Sequence, residues 1–150
     1  NANSEQCRAC EAIAKCLNKF GDKETIKQRR NEIRKAAKQF VGQQFEHPKF
    51  EHKATVTGGS LDELLNQPHK HYHEKNEAIL HIDSLYRNAT YLGELTRKPN
   101  VNYDSYLFET EIAGEKSWII VKKMDSDTIY KIYTISDQSK LLGYIKRKRT

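Results

Sequence analysis

Cysteine is scarce in this 150-residue chain: there are three, at Cys7, Cys10 and Cys16. An odd number gathered so closely is a poor disulfide framework and fits reduced thiols in a cytoplasm. Cys7 and Cys10 open like a zinc knuckle, with Cys16 as a third ligand, but no fourth ligand follows at that spacing. Proline is equally rare, with only three residues, and there are no internal repeats or low-complexity linkers, which points to one domain with a helical extension. Long apolar runs are also missing. Nothing approaches the roughly 20 consecutive apolar residues that a membrane-spanning helix requires, so no membrane partner is expected. Residues 1–12 lack a basic stretch followed by an apolar one, so no secretory signal is expected there.

What is abundant is charge, unevenly placed. The formal net charge is +6. Segment 22–40 carries seven basic residues against three acidic ones, and the tail Lys146-Arg147-Lys148-Arg149 adds a further +4. The remainder of the chain is close to neutral. Clustered positive charge suits a polyanionic partner such as nucleic acid, although a solvated helix face has the same composition. Eight tyrosines and five phenylalanines argue for a packed core rather than disorder.

Periodicity divides the chain in two. Ala9, Ala12, Ile13, Cys16, Leu17 and Phe20 form one apolar helical stripe, and Gly21-Asp22 separates it from a second helix running to about Phe40. A loop containing Pro48 then feeds a short strand near Lys53–Thr57. Ser60 to Glu63 reads as a capping box for a short helix, and Pro68 suits the first turn of another that runs to about Asn88. From Thr90 the period drops to two, and "TYLGELT", "YLFETEIA", "KSWIIVKK", "TIYKIYTI" and "LLGYI" are strand candidates. The expected fold is α+β, with N-terminal helices packed on a four- to five-stranded antiparallel sheet.

Four of the six histidines fall between Leu64 and Asn88, at positions 69, 71, 73 and 81. On one continuous helix His69, His73, Glu77 and His81 would share a face. Such a ladder climbs too many turns to grip one ion, and no His-Glu-x-x-His motif occurs, so no metal site is expected. Metal-free cleavage of RNA needs less: a base, an acid and a cation beside the phosphorane. His69 followed by Lys70 at a helix N-terminus would supply a group titrating near neutrality, a fixed charge and phosphate-binding N–H groups. An exposed, partnerless first turn is the plainer reading of the same residues.

The stretches "RRNEIRKAAKQFVGQ", "LLNQPHKHYHEKNEAI" and "YRNATYLGE", continued by "FETEIAGEKSWIIVKK" and "IYKIYTISD", resemble a C-terminal domain of phage and prophage head-morphogenesis proteins. Those domains are similar to the barnase–EndoU–colicin–RelE-like nucleases, mostly metal-independent RNases that include bacterial toxins. The resemblance spans about residues 27–137 and is strongest over Asn66-Gln67-Pro68-His69-Lys70 and Glu74-Lys75-Asn76. It implies an active site on the open face of a four-stranded antiparallel sheet. It also implies a division into a helical extension, 1–41, and a nuclease-like domain, 42–150.

On this reading the chain is a toxin-type, metal-independent endoribonuclease domain of a phage-derived element, acting in the bacterial cytoplasm without a cofactor. Its alternative is a catalytically inactive domain that binds nucleic acid or a capsid partner. His69, Lys70 and His73 would form the catalytic corner, and Lys122, Thr134 and Ser136 would contribute by strand position. The sheet has no Arg from Glu109 to Leu142, so a lysine must stand in for the usual strand cation. Arg29, Arg30, Arg34, Lys35, Lys146 and Arg147 would hold RNA, tRNA included, by charge. An immunity protein or the parent head protein is the expected protein partner.

Overall fold

The computed structural model describes residues 23–146, with side chains from Thr25 onward. The cysteine-bearing helix and Arg147 lie outside the described residues. The chain divides into two compact units, 1–35 and 36–150. Within the first, α1 begins at Lys23; as one helix it runs to Ala37, with Arg34 and Lys35 in its last turn. Among the described residues no helix is long and apolar enough to cross a membrane.

The second unit is built on a sheet of six strands: β1 (Gln44–His47), β2 (Phe50–Thr55), β3 (Thr90–Glu94), β4 (Tyr103–Ile112), β5 (Glu115–Met124) and β6 (Tyr130–Ser136). Their order is β1-β2-β6-β5-β4-β3. Thus the fold is α+β as expected, but with six strands rather than four or five. The sheet is also mixed, because β2 runs parallel to β6 while every other pair is antiparallel. The segment around Pro48, expected as a loop, forms a hairpin instead. The proline falls in the turn between β1 and β2, where its missing N–H removes nothing from the ladder. "LLGYI" is not a strand: Ser139–Tyr144 is a 3-10 helix, and only Ile145 bridges to the sheet, at Leu95.

Helices from the middle of the chain cover the sheet: α2 (Gly58–Asn66), α3 (Tyr72–Ala78) and α4 (Ile82–Asn88). α2 packs on β6, α3 on β4, and α4 on β1 and β4. Thr57, not Ser60, caps α2; Ser60 is the third helical residue, and each hydroxyl accepts the other's backbone N–H. The helix expected from Pro68 to Asn88 is broken. Residues 67–71 form a turn, and Ile79–His81 tightens into a 3-10 segment between α3 and α4.

Pairing settles which side of each strand meets the helices. The ring of Phe108 on β4 lies 5.0 Å from Tyr86 on α4, and Phe108 pairs with Ile119 on β5. Alternation then puts Ser117, Ile119 and Val121 on the helical face and Trp118, Ile120 and Lys122 on the other. A bulge on β6 at Tyr133 reverses the alternation there. Tyr130 and Ile132 pair with Lys123 and Val121, whereas Thr134 and Ser136 pair with Ile120 and Trp118. The four residues Tyr130, Ile132, Thr134 and Ser136 therefore do not share a side, as strict alternation would require. The second face has its own small core of Leu95, Leu107 and Trp118, roofed by Leu141 and Ile145.

Candidate functional site: a neutral histidine corner and a basic groove on opposite faces of the sheet

His69 lies in the turn before α3, not at a helix N-terminus, and is 9% exposed. The seven residues of α3 begin only at Tyr72, so the expected phosphate-binding helix end is not available to it. Its Nδ1 accepts the backbone N–H of His71 at 2.8 Å, which leaves the ring proton on Nε2. That Nε2–H meets the hydroxyl of Ser117 on β5 at 2.8 Å, and the hydroxyl donates to the Glu115 carbonyl at 3.1 Å. Burial holds the His69 pKa below its ordinary value, with His71 and Lys75 acting in the same direction and Asp137 and Glu115 opposing them. The ring is thus neutral with both nitrogens engaged. His47 also has both ring nitrogens engaged in hydrogen bonds, its Nδ1 accepting from Lys49 N–H and its Nε2 facing the Ala89 carbonyl at 2.6 Å.

The neighbours of His69 tie the turn to the sheet. The Lys70 backbone N–H donates to the Asp137 carboxylate at 2.8 Å, and its ammonium reaches Glu115 at 3.3 Å. The carboxyl of Asp137 is held below its usual range, the hydrogen bonds from Lys70 and Gln138 and the nearby His69 outweighing burial, which acts the other way. His73 sits one helical turn from Glu77 and pairs with it at 3.3 Å. Among the described residues no group of three or more metal-binding side chains converges.

Lys75 is the residue that spacing did not single out. It is fully buried, and burial lowers its pKa from 10.5 to about 7. Its ammonium donates to the Leu64 and Leu65 carbonyls at 2.5 and 3.3 Å and lies 4.8 Å from the centre of the Tyr72 ring. These carbonyls belong to the last turn of α2, where a helix leaves acceptors unfilled. The Tyr72 hydroxyl donates to the Leu65 carbonyl as well, at 2.7 Å. A Glu-Lys-Asn triplet in a polar segment reads as solvated surface. Only the tertiary path shows that the middle residue closes another helix.

The other expected site residues fall on the opposite side of β5 from Ser117. Lys122, Thr134 and Ser136 share the second face, so the structure does not bring them to His69. Thr134 and Ser136 are buried, and the Thr134 hydroxyl has no hydrogen-bond partner. Lys122 is different. Its ammonium lies 4.4 Å from the centre of Tyr103 and 4.3 Å from that of Tyr133. It lines a cavity of ≈ 190 Å³ together with Lys98, Lys140 and Tyr144. Leu95, Ile120 and Leu141 give the cavity apolar walls, and no carboxylate lines it.

Arg97 shapes one side of this cavity. Its guanidinium bonds Asp104 and Asp125 at 2.8 and 2.7 Å, and also the Val101 carbonyl, fastening the 96–102 loop to β4 and to the β5–β6 turn. Those bonds raise the Arg97 pKa and lower that of Asp125. Asp104 and Asp125 are thereby committed to Arg97. Among the described residues Lys98, Lys122 and Lys140 make no ion pair within 4.0 Å.

The expected nucleic-acid residues divide in the same way. Arg29, Arg30, Arg34 and Lys35 lie along α1 in the first unit. Lys146 is committed to Glu94 at 3.0 Å. No curated protein and no solved structure matches the chain. No match ties it to the barnase–EndoU–colicin–RelE-like nucleases. Residues 24–133, most of α1 and the sheet as far as β6, match the large polyvalent protein-associated domain 3 family, LPD3, and the chain belongs to that family.

Proposed function

We propose that the chain is an RNA-binding domain of a phage-type polyvalent protein, with the second face of the sheet as its working surface. The observation that carries this reading is Lys122, a half-buried cation between two tyrosine rings at the edge of an apolar cavity that also bears Lys98 and Lys140. Cations without acidic partners, set among aromatic rings, fit a phosphate backbone with bases stacked beside it. Arg29, Arg30, Arg34 and Lys35 on α1 would make phosphate contacts of their own, and the partner protein would be an immunity protein or the parent head protein.

Metal-independent cleavage on the same face is the second reading, favoured by Lys122, Thr134 and Ser136 sharing it. Scission needs a group that can take a proton. His69 is neutral and saturated on the other side of the sheet, and no carboxylate or histidine lines the groove. Binding is therefore the function the geometry supports best. Titration of a labelled RNA with the protein at rising salt tests it. Binding that falls steeply with salt and weakens in Lys122→Ala supports the reading; RNA that stays unbound at low salt overturns it.

A further inference from the structure

We infer that the ≈ 190 Å³ cavity is a subsite for one unpaired nucleobase, stacked on Tyr144, with the flanking phosphates on Lys98, Lys122 and Lys140. The inference rests on the nucleic-acid reading above and narrows it to single-stranded ligand. Size comes first. Drug-sized molecules and cofactors fill about 300–1,000 Å³, so this cavity has room for a single ring system and little more. Its lining suits a flat apolar face, with Leu95, Ile120 and Leu141 beside the rings of Tyr103 and Tyr144. Lys98, Lys122 and Lys140 add charge to the same lining, and phosphates would meet them there.

Tyr144 is the key residue because it is both displayed and fixed. It is 41% exposed, and Lys98 stands 5.5 Å from the centre of its ring. Its backbone is pinned at its own carbonyl and at the two residues that follow. The Thr96 N–H donates to the Tyr144 carbonyl at 2.7 Å, Ile145 bridges Leu95, and the Lys146 N–H donates to the Glu94 carbonyl at 2.8 Å. The segment 139–146 is thus a strap across the second face that carries Lys140, Leu141 and Tyr144 into the cavity. An aromatic ring held at a set position, with the Lys98 ammonium beside it, is a stacking platform for a base.

A duplex cannot use such a platform. Its bases are stacked and paired inside the helix, and proteins meet it through phosphates and groove edges. An unpaired base can turn out and enter. The arrangement accordingly selects single strands without needing to read sequence.

The test compares one labelled RNA as a single strand and annealed to its complement, with the wild-type chain, Tyr144→Ala, Tyr144→Phe and Lys122→Ala, by fluorescence anisotropy at low salt. The single strand should bind more tightly than the duplex. Tyr144→Ala should weaken single-strand binding about 5- to 150-fold, the range for loss of one base–aromatic stack. Tyr144→Phe should keep it, and the duplex should not respond to either change. Equal binding of strand and duplex, or no effect of Tyr144→Ala while Lys122→Ala weakens binding, overturns the base subsite and leaves the binding face standing. No binding of either nucleic acid overturns the binding face and the subsite together.

Discussion

His69 faces Ser117 across 2.8 Å, a hydrogen bond between a turn and a strand 48 residues later in the chain. With Nδ1 already accepting from His71, this bond fixes the ring as a brace that fastens the 67–71 turn to the end of β5. His69→Ala should lower stability by about 1–3 kcal/mol, the usual cost of breaking a buried polar pair. RNA affinity should stay as it was. Chemical denaturation and the binding titration, run on the same preparation, check both halves.

The same ring makes stability depend on acid. Its folded pKa lies below the ordinary 6.5, so the unfolded chain takes up the proton first as pH falls. The stabilisation is complete above about 6.5 and drains away below it, until the folded pKa is passed. Melting temperatures measured from pH 8 down to pH 5 should therefore fall, and should fall less in His69→Ala.

Lys75 works on the alkaline side. Between about 7 and 10.5 the unfolded chain holds a proton that the folded chain has lost, so stability should climb with pH across that window. The full difference corresponds to on the order of 5 kcal/mol, the cost of keeping a charged lysine among apolar neighbours. Lys75→Met removes the titration along with the charge. Its melting temperature should be nearly flat from pH 7 to pH 10, and a rise as steep as the wild type's would contradict the assignment.

Much of this architecture was legible in the residues, and the failures have identifiable physical causes. Strict alternation in "KSWIIVKK" puts Trp118, Ile120 and Lys122 on one face, and the structure agrees because β5 is long and regular. The same rule failed on β6, where one extra residue at Tyr133 shifts everything before it to the other side; bulges leave no mark in alternation. The lone parallel pairing of β2 with β6 is a long-range contact with no local signal. His69 and Lys70 were visible as chemistry, but their surroundings were not. Whether this histidine is poised or saturated depends on Ser117, which only the fold brings near. The cavity was missed for the same reason, since Lys98, Lys122 and Lys140 come from three separate segments.

The strap gives a fourth expectation. Gly93 sits at a bulge in β3 with φ +129, and a Cβ there would meet the Ile145 side chain at 3.3 Å. Gly93→Ala should cost about 1–3 kcal/mol through the strained backbone, and by pressing on Ile145 it should loosen residues 139–146. Faster amide exchange at Ile145 and Lys146, with β5 unaffected, is the expected result.

The account turns on which face of the sheet does the work. The most direct measurement sets wild type, Lys122→Ala and His69→Ala side by side against single-stranded RNA in EDTA, reading both binding and RNA integrity. The account predicts that His69→Ala binds like wild type, that Lys122→Ala binds about tenfold more weakly, and that the RNA stays intact throughout. RNA cut by wild type and spared by His69→Ala would put the chemistry at the corner, and unchanged binding by Lys122→Ala would empty the groove of its role.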